Sequence, residues 1–213
     1  MLQEERVSAH PSQHKKKELE MRELRYVPLP SPGSIVGRFR LLREIGKGGM
    51  GSVFEAIHLD SGQRVALKVA VETTLGAEGV LREIRALKHP IDSEHVVRYI
   101  GSGDYFADEE GTRMPWLALE LLEGKTLDQL VKERGQLPLP EALEIALQVG
   151  KGLLEVHRHG LLHRDVKPPN IFLSSLPNGT LHVRLIDFGI ACEADKQREG
   201  LEENQTFGTP AYM

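Results

Sequence analysis

Alternating apolar and polar residues mark three short segments in the first half of the chain. They cover residues 39–45, 52–58 and 64–70, and Asp60-Ser61-Gly62 supplies a turn sequence between the last two. A period of two is typical of strands that bury one face. We therefore predict an antiparallel meander of three strands.

The pattern then changes to a helical period. Between residues 77 and 88 the inward-facing positions recur every three or four residues. The predicted inward face consists of Val80, Glu83, Ile84 and Leu87. A carboxylate on such a face needs a partner, so we expect Glu83 to pair with a cation. Two further strands at residues 96–106 and 115–120 and a short helix at residues 127–134 are also predicted.

The clearest helical pattern covers residues 140–159. Pro140 suits the first helical position, and Gly160 suits the left-handed residue just past the end. The expected buried stripe of this helix consists of Ala142, Ala146, Val149, Leu153 and Val156.

A short hairpin is predicted after the long helix. Its strands are residues 171–173 and 181–186, and Pro177-Asn178-Gly179 is the turn sequence between them. Because the two strands pair, we expect Asn170 and Asp187 to lie close together at the open end of the hairpin.

Residues 1–36 differ from the rest of the chain. They are polar, contain Lys15-Lys16-Lys17, and end in residues that interrupt regular structure, namely Pro28, Pro30, Pro32 and Gly33. The lysine run could contact acidic lipid or nucleic acid, but Glu18, Glu20 and Glu23 follow it at once. We predict a flexible, solvated arm.

Composition narrows the function only slightly. The chain has 213 residues, enough for one domain or two lobes, and a net charge of -4, which argues against a general nucleic-acid binder. The single cysteine, Cys192, excludes an internal disulfide. No apolar run approaches the roughly 18 residues of a membrane span, and the N-terminus does not resemble a signal peptide. A cytoplasmic protein is therefore expected.

A glycine-rich turn lies between the first two predicted strands. It reads Gly46-x-Gly48-x-x-Gly51-x-Val53, so backbone N–H groups could approach phosphate oxygens while Val53 offers an apolar wall. In the third strand Ala66 and Lys68 point to one face. The strand context disfavours a dinucleotide fold, in which such a turn leads into a helix. Taken alone, a ligand-free turn and an exposed lysine remain alternatives.

Two later motifs bring carboxylates and an amide. His163-Arg164-Asp165 is followed by Lys167 and by Asn170, and Asp187-Phe188-Gly189 follows the predicted hairpin. An Asp can accept a hydroxyl proton, and an Asn with a second Asp can hold magnesium. The motifs stand in the order and spacing that phosphoryl transfer from ATP requires.

The motif set resembles that of the eukaryotic-like serine/threonine protein kinases, a type also found in bacteria. The resemblance covers residues 36–213 and depends on several patterns that agree in order and spacing. It implies an α+β fold with two lobes. An antiparallel-sheet N-lobe with one helix would occupy residues 37–122, and a partial helical C-lobe would occupy residues 123–213.

The resemblance assigns roles to the polar residues. Asp165 would orient the substrate hydroxyl and accept its proton, Lys167 would steady the phosphoryl group, and Asn170 and Asp187 would bind Mg²⁺. Lys68 would reach the phosphates and pair with Glu83. His163 would pack beneath Phe188 rather than act as an acid or base, and Arg164 would contact a phosphate on the activation segment.

The resemblance also implies the ATP contacts. Glu120 and Leu122 would read the adenine edge through their backbone, Leu119 would lie beside the base, and Phe172 would lie under it. The complete set of expected ATP contacts is Ile45, Gly46, Lys47, Gly48, Gly49, Met50, Gly51, Val53, Ala66, Lys68, Glu120, Leu122, Phe172 and Asp187.

An activation segment is expected between Gly189 and Gly208. Thr209, within Gly208-Thr209-Pro210, resembles the threonine that contacts the catalytic loop in this family. Thr206 is therefore the better candidate for phosphorylation, and an unmodified polar loop is the alternative. The family normally continues past this point with an Ala-Pro-Glu stop and several helices, so we expect the sequence to be a fragment of a longer protein.

The expected function is transfer of the terminal phosphoryl group of ATP to Ser or Thr hydroxyls of a protein substrate. A catalytically silent nucleotide-binding scaffold is one alternative, although Lys68, Asp165, Asn170 and Asp187 are all present. A small-molecule phosphotransferase is the other, although it would not need Lys167. We further expect the chain to be nearly inactive without the missing helices, which would hold the catalytic and activation loops in place.

Overall fold

A computed structural model describes residues 29–71, 73–88, 91–108, 111–176, 179–189 and 191–193. None of the helices in these ranges is long and apolar enough to cross a membrane. The predicted arm up to residue 28 lies outside the described residues, and so does the predicted activation segment from residue 194 onward, with Thr206 and Thr209.

The first half of the chain forms a six-stranded antiparallel sheet. Its strands are β1 (Ile35–Val36), β2 (Phe39–Lys47), β3 (Gly51–His58), β4 (Arg64–Ala70), β5 (Tyr99–Phe106) and β6 (Arg113–Glu120). They lie in the order β1-β2-β3-β4-β6-β5. Helix α1 (Thr74–Lys88) connects β4 to β5 and packs on the sheet. The predicted meander is confirmed, and only residues 48–50 separate β2 from β3.

The second half is mainly two helices and a hairpin. Its elements are β7 (Lys125–Thr126), α2 (Leu127–Arg134), α3 (Leu139–Arg158), β8 (Leu161–Leu162), a 3-10 turn (Pro168–Asn170), β9 (Ile171–Ser175), β10 (Leu181–Leu185) and β11 (Cys192–Glu193). The hairpin β9–β10 extends to β7 as a three-stranded sheet, and β8 pairs with β11. The structure therefore has the predicted α+β class with a sheet-rich and a helical half.

Sequence-local signals account for the ends of the helices in this half. Thr126 caps α2 by accepting a hydrogen bond from the backbone N–H of Gln129, whose side chain accepts one from the backbone N–H of Thr126. Gly160 adopts a φ of 70° just after α3, as predicted. Local capping therefore determines where α2 begins and where α3 ends.

Two hydrophobic clusters hold the fold together. One lies on a single face of the six-stranded sheet and includes Phe39, Phe54 and Trp116. The other joins α1 and β6 to α3 and the β9–β10 hairpin, with Val80, Leu117, Val156, Val183 and Phe188 among its members. This second cluster runs from one half of the chain into the other, so apolar burial fixes the helix α1 relative to β10.

The predicted stripe on α3 is confirmed at Val156, which is buried, and at Val149 and Leu153, which pack partly buried against the second cluster, and it is wrong at Ala146. The residues that are buried are Ile145, Gln148, Gly152 and Val156. Of the five predicted residues only Val156 is fully buried, and Ala146 is exposed. The prediction ranked positions by hydrophobicity, whereas Gln148 and Gly152 are buried by hydrogen bonding and by close packing against β10. Four leucines of this helix are exposed instead, namely Leu139, Leu143, Leu147 and Leu154.

The predicted arm also ends too late at residue 36. Ile35 and Val36 form β1, which pairs with β2 in the register Val36↔Phe39, and Val36 is completely buried. The prolines and glycines before it suggested an irregular segment. Gly37 instead starts a two-residue turn with a φ of 58°, and a Cβ atom there would lie 2.6 Å from Cζ2 of Trp116. The position therefore needs glycine for its backbone angle and for its close contact.

We expect Gly37→Ala to lower the free energy of unfolding by roughly 2–4 kcal/mol, because it adds left-handed strain and a clash with a buried ring. Gly62→Ala is the matched control, since its φ is 71° and nothing lies within 4 Å of the added Cβ. The control should lose only about 1 kcal/mol. Urea unfolding curves of both variants test this, and equal losses would show that the contact with Trp116 has no energetic effect.

Candidate active site

The side chain of Lys68 joins three separate elements. Strand β4 places it on the same face as Ala66, between β3 and β6. Its Nζ lies 2.7 Å from Oε2 of Glu83 on α1 and 2.9 Å from Oδ1 of Asp187 after β10. The structure thus contains the expected Lys68–Glu83 ion pair and adds the Asp187 carboxylate to it.

The two carboxylates that contact the Lys68 ammonium have pKa values that are shifted in opposite directions. Burial raises the pKa of Glu83, which is almost fully enclosed, although Lys68 opposes this shift. Burial also acts to raise the pKa of Asp187, but the charge and hydrogen bond of Lys68 outweigh it and hold that pKa below its usual range. Burial acts to lower the pKa of Lys68, and the two carboxylates more than reverse this, so the lysine stays charged.

The backbone at Asp187 is held in an unusual conformation. Asp187 has a φ of 63°, which is left-handed and rare for a residue other than glycine. The next residue, Phe188, is completely buried, and its N–H donates to Oε1 of Glu83 at 3.4 Å. The strain at Asp187 is therefore offset by anchoring of its neighbour, and Glu83 contacts both the lysine and this turn.

The side chain of His163 packs against the turn formed by Asp187 and Phe188. Its ring lies 4.5 Å from the ring of Phe188, centroid to centroid. Its Nδ1 accepts a hydrogen bond from the N–H of Asp165, so Nε2 carries the proton that is donated to the carbonyl oxygen of Ile186 at 3.3 Å. Burial lowers the pKa of His163, which favours this neutral tautomer. The contacts describe a packing residue, in line with the expectation from the sequence.

The loop after β8 brings Asp165, Lys167 and Asn170 together. Nζ of Lys167 lies 2.7 Å from Oδ2 of Asp165, and Nδ2 of Asn170 donates to the same oxygen at 3.0 Å. Asn170 Nδ2 also donates to the backbone carbonyl of Asp165 at 2.9 Å. Arg164 has a φ of 62° between these groups and His163. The loop is therefore a hydrogen-bonded unit in which one oxygen of Asp165 has two fixed donors.

The residues fit a magnesium site that is completed by phosphate oxygens. Nδ2 of Asn170 is directed to Asp165, so its Oδ1 is the atom left for a cation. Lys68 and the N–H of Gly189 both contact Oδ1 of Asp187, which leaves Oδ2. The N–H of Ile186 donates to the carbonyl oxygen of Asn170, which brings Asp187, the next residue in the chain, beside Asn170. Within the described ranges no group of three or more metal-binding side chains occurs, and Mg²⁺ held through phosphates does not need one.

The glycines of the turn between β2 and β3 have two different structural roles. A Cβ atom at Gly51 would lie 2.4 Å from the carbonyl oxygen of Val69, so this glycine allows close pairing of β3 with β4. Gly48 and Gly49 have nothing within 4 Å of a Cβ atom, and Gly48 N–H donates to the Gly51 carbonyl at 2.9 Å. Ile45, Gly46 and Lys47 end β2, and Val53 lies opposite Lys68. The open positions are those where backbone could approach a phosphate.

Met50 at the tip of this turn reaches residues that the sequence did not connect with it. A Cβ atom at Gly79 on α1 would lie 2.7 Å from its Sδ, and one at Gly189 would lie 2.6 Å away. The thioether therefore lies between α1 and the turn after Asp187. No periodicity or motif indicates this contact, because it depends on how the turn folds over the helix.

The expected adenine side lies at the end of β6. Ala66 pairs with Leu119, and Phe172 lies on β9 opposite Thr126. The N–H of Glu120 donates to the carbonyl oxygen of Arg98 at 3.0 Å, so only the carbonyl of Glu120 could contact a base. Leu122 follows and packs partly against the second hydrophobic cluster.

Comparisons with known proteins agree with this geometry. A family model described as the protein kinase domain matches residues 39–213. The serine/threonine-protein kinase pkn2 of Myxococcus xanthus is 36% identical over 194 residues, and PknA of Mycobacterium tuberculosis is 38% identical over 188 residues. Those alignments cover 86% and 84% of this chain, but only 22% and 41% of the two relatives.

A solved structure shows the same fold. The crystal structure of the kinase domain of Mycobacterium tuberculosis PknI aligns with a TM-score of 0.63 and 26% sequence identity. The alignment covers 78% of this chain and 65% of that one. With the match of the family model over residues 39–213, these likenesses show that the chain belongs to the protein kinase family.

Proposed function

We propose that this chain forms the ATP-binding and catalytic part of a serine/threonine protein kinase. The observation that carries the proposal is the network in which Lys68 contacts both Glu83 and Asp187. Phosphoryl transfer depends on positioning and on charge stabilisation rather than on covalent chemistry. A charged lysine held between two elements by two carboxylates is suited to that task.

ATP would bind between the six-stranded sheet and the β9–β10 hairpin. The turn from Ile45 to Gly51 would cover the phosphates with backbone N–H groups, and Lys68 would contact phosphate oxygens. The base would lie near Val53, Ala66 and Phe172. Its edge would be read by the carbonyl of Glu120 and the backbone of Leu122. The proposed kinase domain covers residues 35–213, because β1 (Ile35–Val36) belongs to the six-stranded sheet.

The loop around Asp165 would handle the acceptor hydroxyl. Asp165 would orient the hydroxyl and accept its proton as the oxygen bonds to the terminal phosphorus and the bond from that phosphorus to the oxygen of the leaving ADP breaks. Lys167 would offset the negative charge of the phosphoryl group. Asn170 Oδ1 and Asp187 Oδ2 would hold Mg²⁺, which neutralises charge on the phosphates when bound. Lys167 and Asn170 already hold Asp165 in one orientation.

The acceptor would be a Ser or Thr side chain of a protein. The two relatives described above are named serine/threonine-protein kinases. The resemblance of the catalytic loop to that family implies the same role for Lys167. The reaction would take place in the cytoplasm, where ATP is available, and Thr206 is the proposed site of regulatory phosphorylation.

We expect Lys68→Met to weaken binding of magnesium-ATP at least tenfold, because it removes a charge-assisted contact to phosphate that is worth roughly 1.5–3 kcal/mol. Lys151→Met is the matched control, since Lys151 is exposed on α3 away from the site. Isothermal titration calorimetry measures both affinities, with circular dichroism to verify folding. Equal affinity of the Lys68 and Lys151 variants would contradict the proposed phosphate contact.

We expect Asp165→Asn to reduce phosphoryl transfer at least a hundredfold while changing ATP affinity less than about threefold, because the carboxylate acts on the hydroxyl and not on the nucleotide. Radiolabel transfer from ATP to a Ser- and Thr-containing protein, catalysed by the protein as its native cells express it, measures the first quantity. Calorimetry measures the second.

The same assay separates the alternatives. A scaffold would bind ATP but show no transfer that depends on Asp165, and a small-molecule phosphotransferase would label a small alcohol rather than the protein. Near-normal transfer by the Asp165 variant would show that the assigned role is wrong.

A further inference from the structure

A buried glutamine on α3 forms hydrogen bonds with the backbone at one edge of strand β10. Gln148 is 5% exposed, and its Oε1 accepts a hydrogen bond from the N–H of Val183 at 2.9 Å. Its Nε2 donates to the carbonyl oxygen of Leu181 at 3.0 Å. The side-chain amide thus satisfies an N–H and a C=O two residues apart on one strand edge, as an adjacent strand would.

A second contact fixes which way this amide faces. Nε2 of Gln148 also donates to Oε1 of Glu144 at 2.7 Å, one helical turn earlier. A carboxylate can only accept, so the NH₂ group must face Glu144 and Leu181, and the oxygen must face Val183. The amide therefore cannot flip without losing all three hydrogen bonds.

Further along the same edge, β10 is hydrogen-bonded to the segment that precedes β5. His95 donates from Nδ1 to the carbonyl of Val183 at 2.9 Å, Leu185 N–H donates to the His95 carbonyl at 2.9 Å, and Val97 N–H donates to the Leu185 carbonyl at 3.0 Å. The opposite edge of β10 pairs with β9 throughout. Both edges of the strand are therefore occupied, one of them by Gln148 and the His95 segment in place of a regular strand.

Close packing reinforces this arrangement one turn further along α3. A Cβ atom at Gly152 would lie 2.8 Å from the His95 carbonyl oxygen and 3.0 Å from Cδ1 of Leu185. The glycine thus lets α3 approach both partners directly. Gln148 and Gly152 are the two non-apolar residues of the buried face of α3, and both act on β10.

The strand held in this way leads directly into the metal-binding turn. Only Ile186 separates Leu185 from Asp187, and its N–H and C=O are bonded to Asn170 and His163. A shift of β10 along its axis would therefore move Asp187 relative to Lys68 and Asn170. Positional errors of about 1 Å at such a site can cost roughly a hundredfold in function.

We propose that Gln148 is a positioning residue that keeps Asp187 in the geometry for magnesium binding by fixing β10 against α3. The inference rests on the proposed function, because it concerns the same metal site. It assigns Gln148 no contact with ATP or Mg²⁺. Its effect falls mainly on the part of ATP affinity that depends on the cation, because Lys68 keeps its ion pair with Glu83 when Asp187 shifts.

The test measures the dissociation constant of ATP by calorimetry, once in EDTA and once in saturating Mg²⁺. The value in EDTA divided by the value in Mg²⁺ gives the ratio by which magnesium strengthens ATP binding. Gln148→Met removes the hydrogen bonds with little change in volume. We expect it to lower the ratio threefold to tenfold, with affinity in EDTA within about twofold of the wild type. Lys151→Met, on the exposed face of the same helix, should leave the ratio unchanged.

A second variant covers the case in which Gln148→Met does not fold. Gln148→Glu retains an acceptor for Val183 but loses the donor to Leu181, and we expect an intermediate ratio. A lower melting temperature with an unchanged ratio would overturn the inference, because Gln148 would then be a structural residue only. Equal losses in EDTA and in Mg²⁺ would overturn it as well.

The magnesium effect on the wild-type chain separates failure of the proposed function from failure of the positioning role of Gln148. If its ATP affinity did not depend on Mg²⁺, the proposed function would fail and the inference with it. A normal magnesium effect in the wild type, combined with an unchanged ratio in the Gln148 variants, would refute the positioning role alone.

Discussion

The shared ion pair of Lys68 is the interaction on which the site depends. A single ammonium contacts Glu83 on α1 and Asp187 after β10, which are 104 positions apart in the chain (187 - 83). Breaking a buried pair leaves uncompensated charge, which costs far more than a surface ion pair contributes. The position of α1, the position of the Asp187 turn and the charge state of the lysine are therefore mutually dependent.

The rest of the fold supplies the rigidity that this interaction needs. The sheet fixes Lys68 through pairing of β4 on both edges, and the second hydrophobic cluster fixes α1 against β10. His163 and Asn170 hold the turn before Phe188 through the backbone of Ile186. The loop that carries Asp165 is thereby connected to the turn at Asp187 by hydrogen bonds, so the polar residues of the candidate site form one unit.

Local patterns in the sequence were sufficient to predict most elements, and its motifs contained the polar residues that the structure brings together. The period of two predicted β2 to β4, and spacing on α1 placed Glu83 inward, where the structure has it paired with Lys68. Contacts that depend on tertiary packing were not predictable. Gln148 carries no hydrophobic signal, and its burial depends on exposed backbone groups of β10. The left-handed backbone of Asp187 and the place of Met50 likewise follow only from the assembled fold.

Carboxyl-detected NMR titration of the wild-type chain tests the central claim most directly, because it observes the two partners of Lys68 separately. The account predicts that Asp187 titrates below the usual Asp range near ~3.9 and that Glu83 titrates above the usual Glu range near ~4.3. In Lys68→Met the pKa of Asp187 should rise, since burial then acts without the opposing charge. Ordinary pKa values for both groups, unchanged by the substitution, would contradict a buried ammonium shared between them.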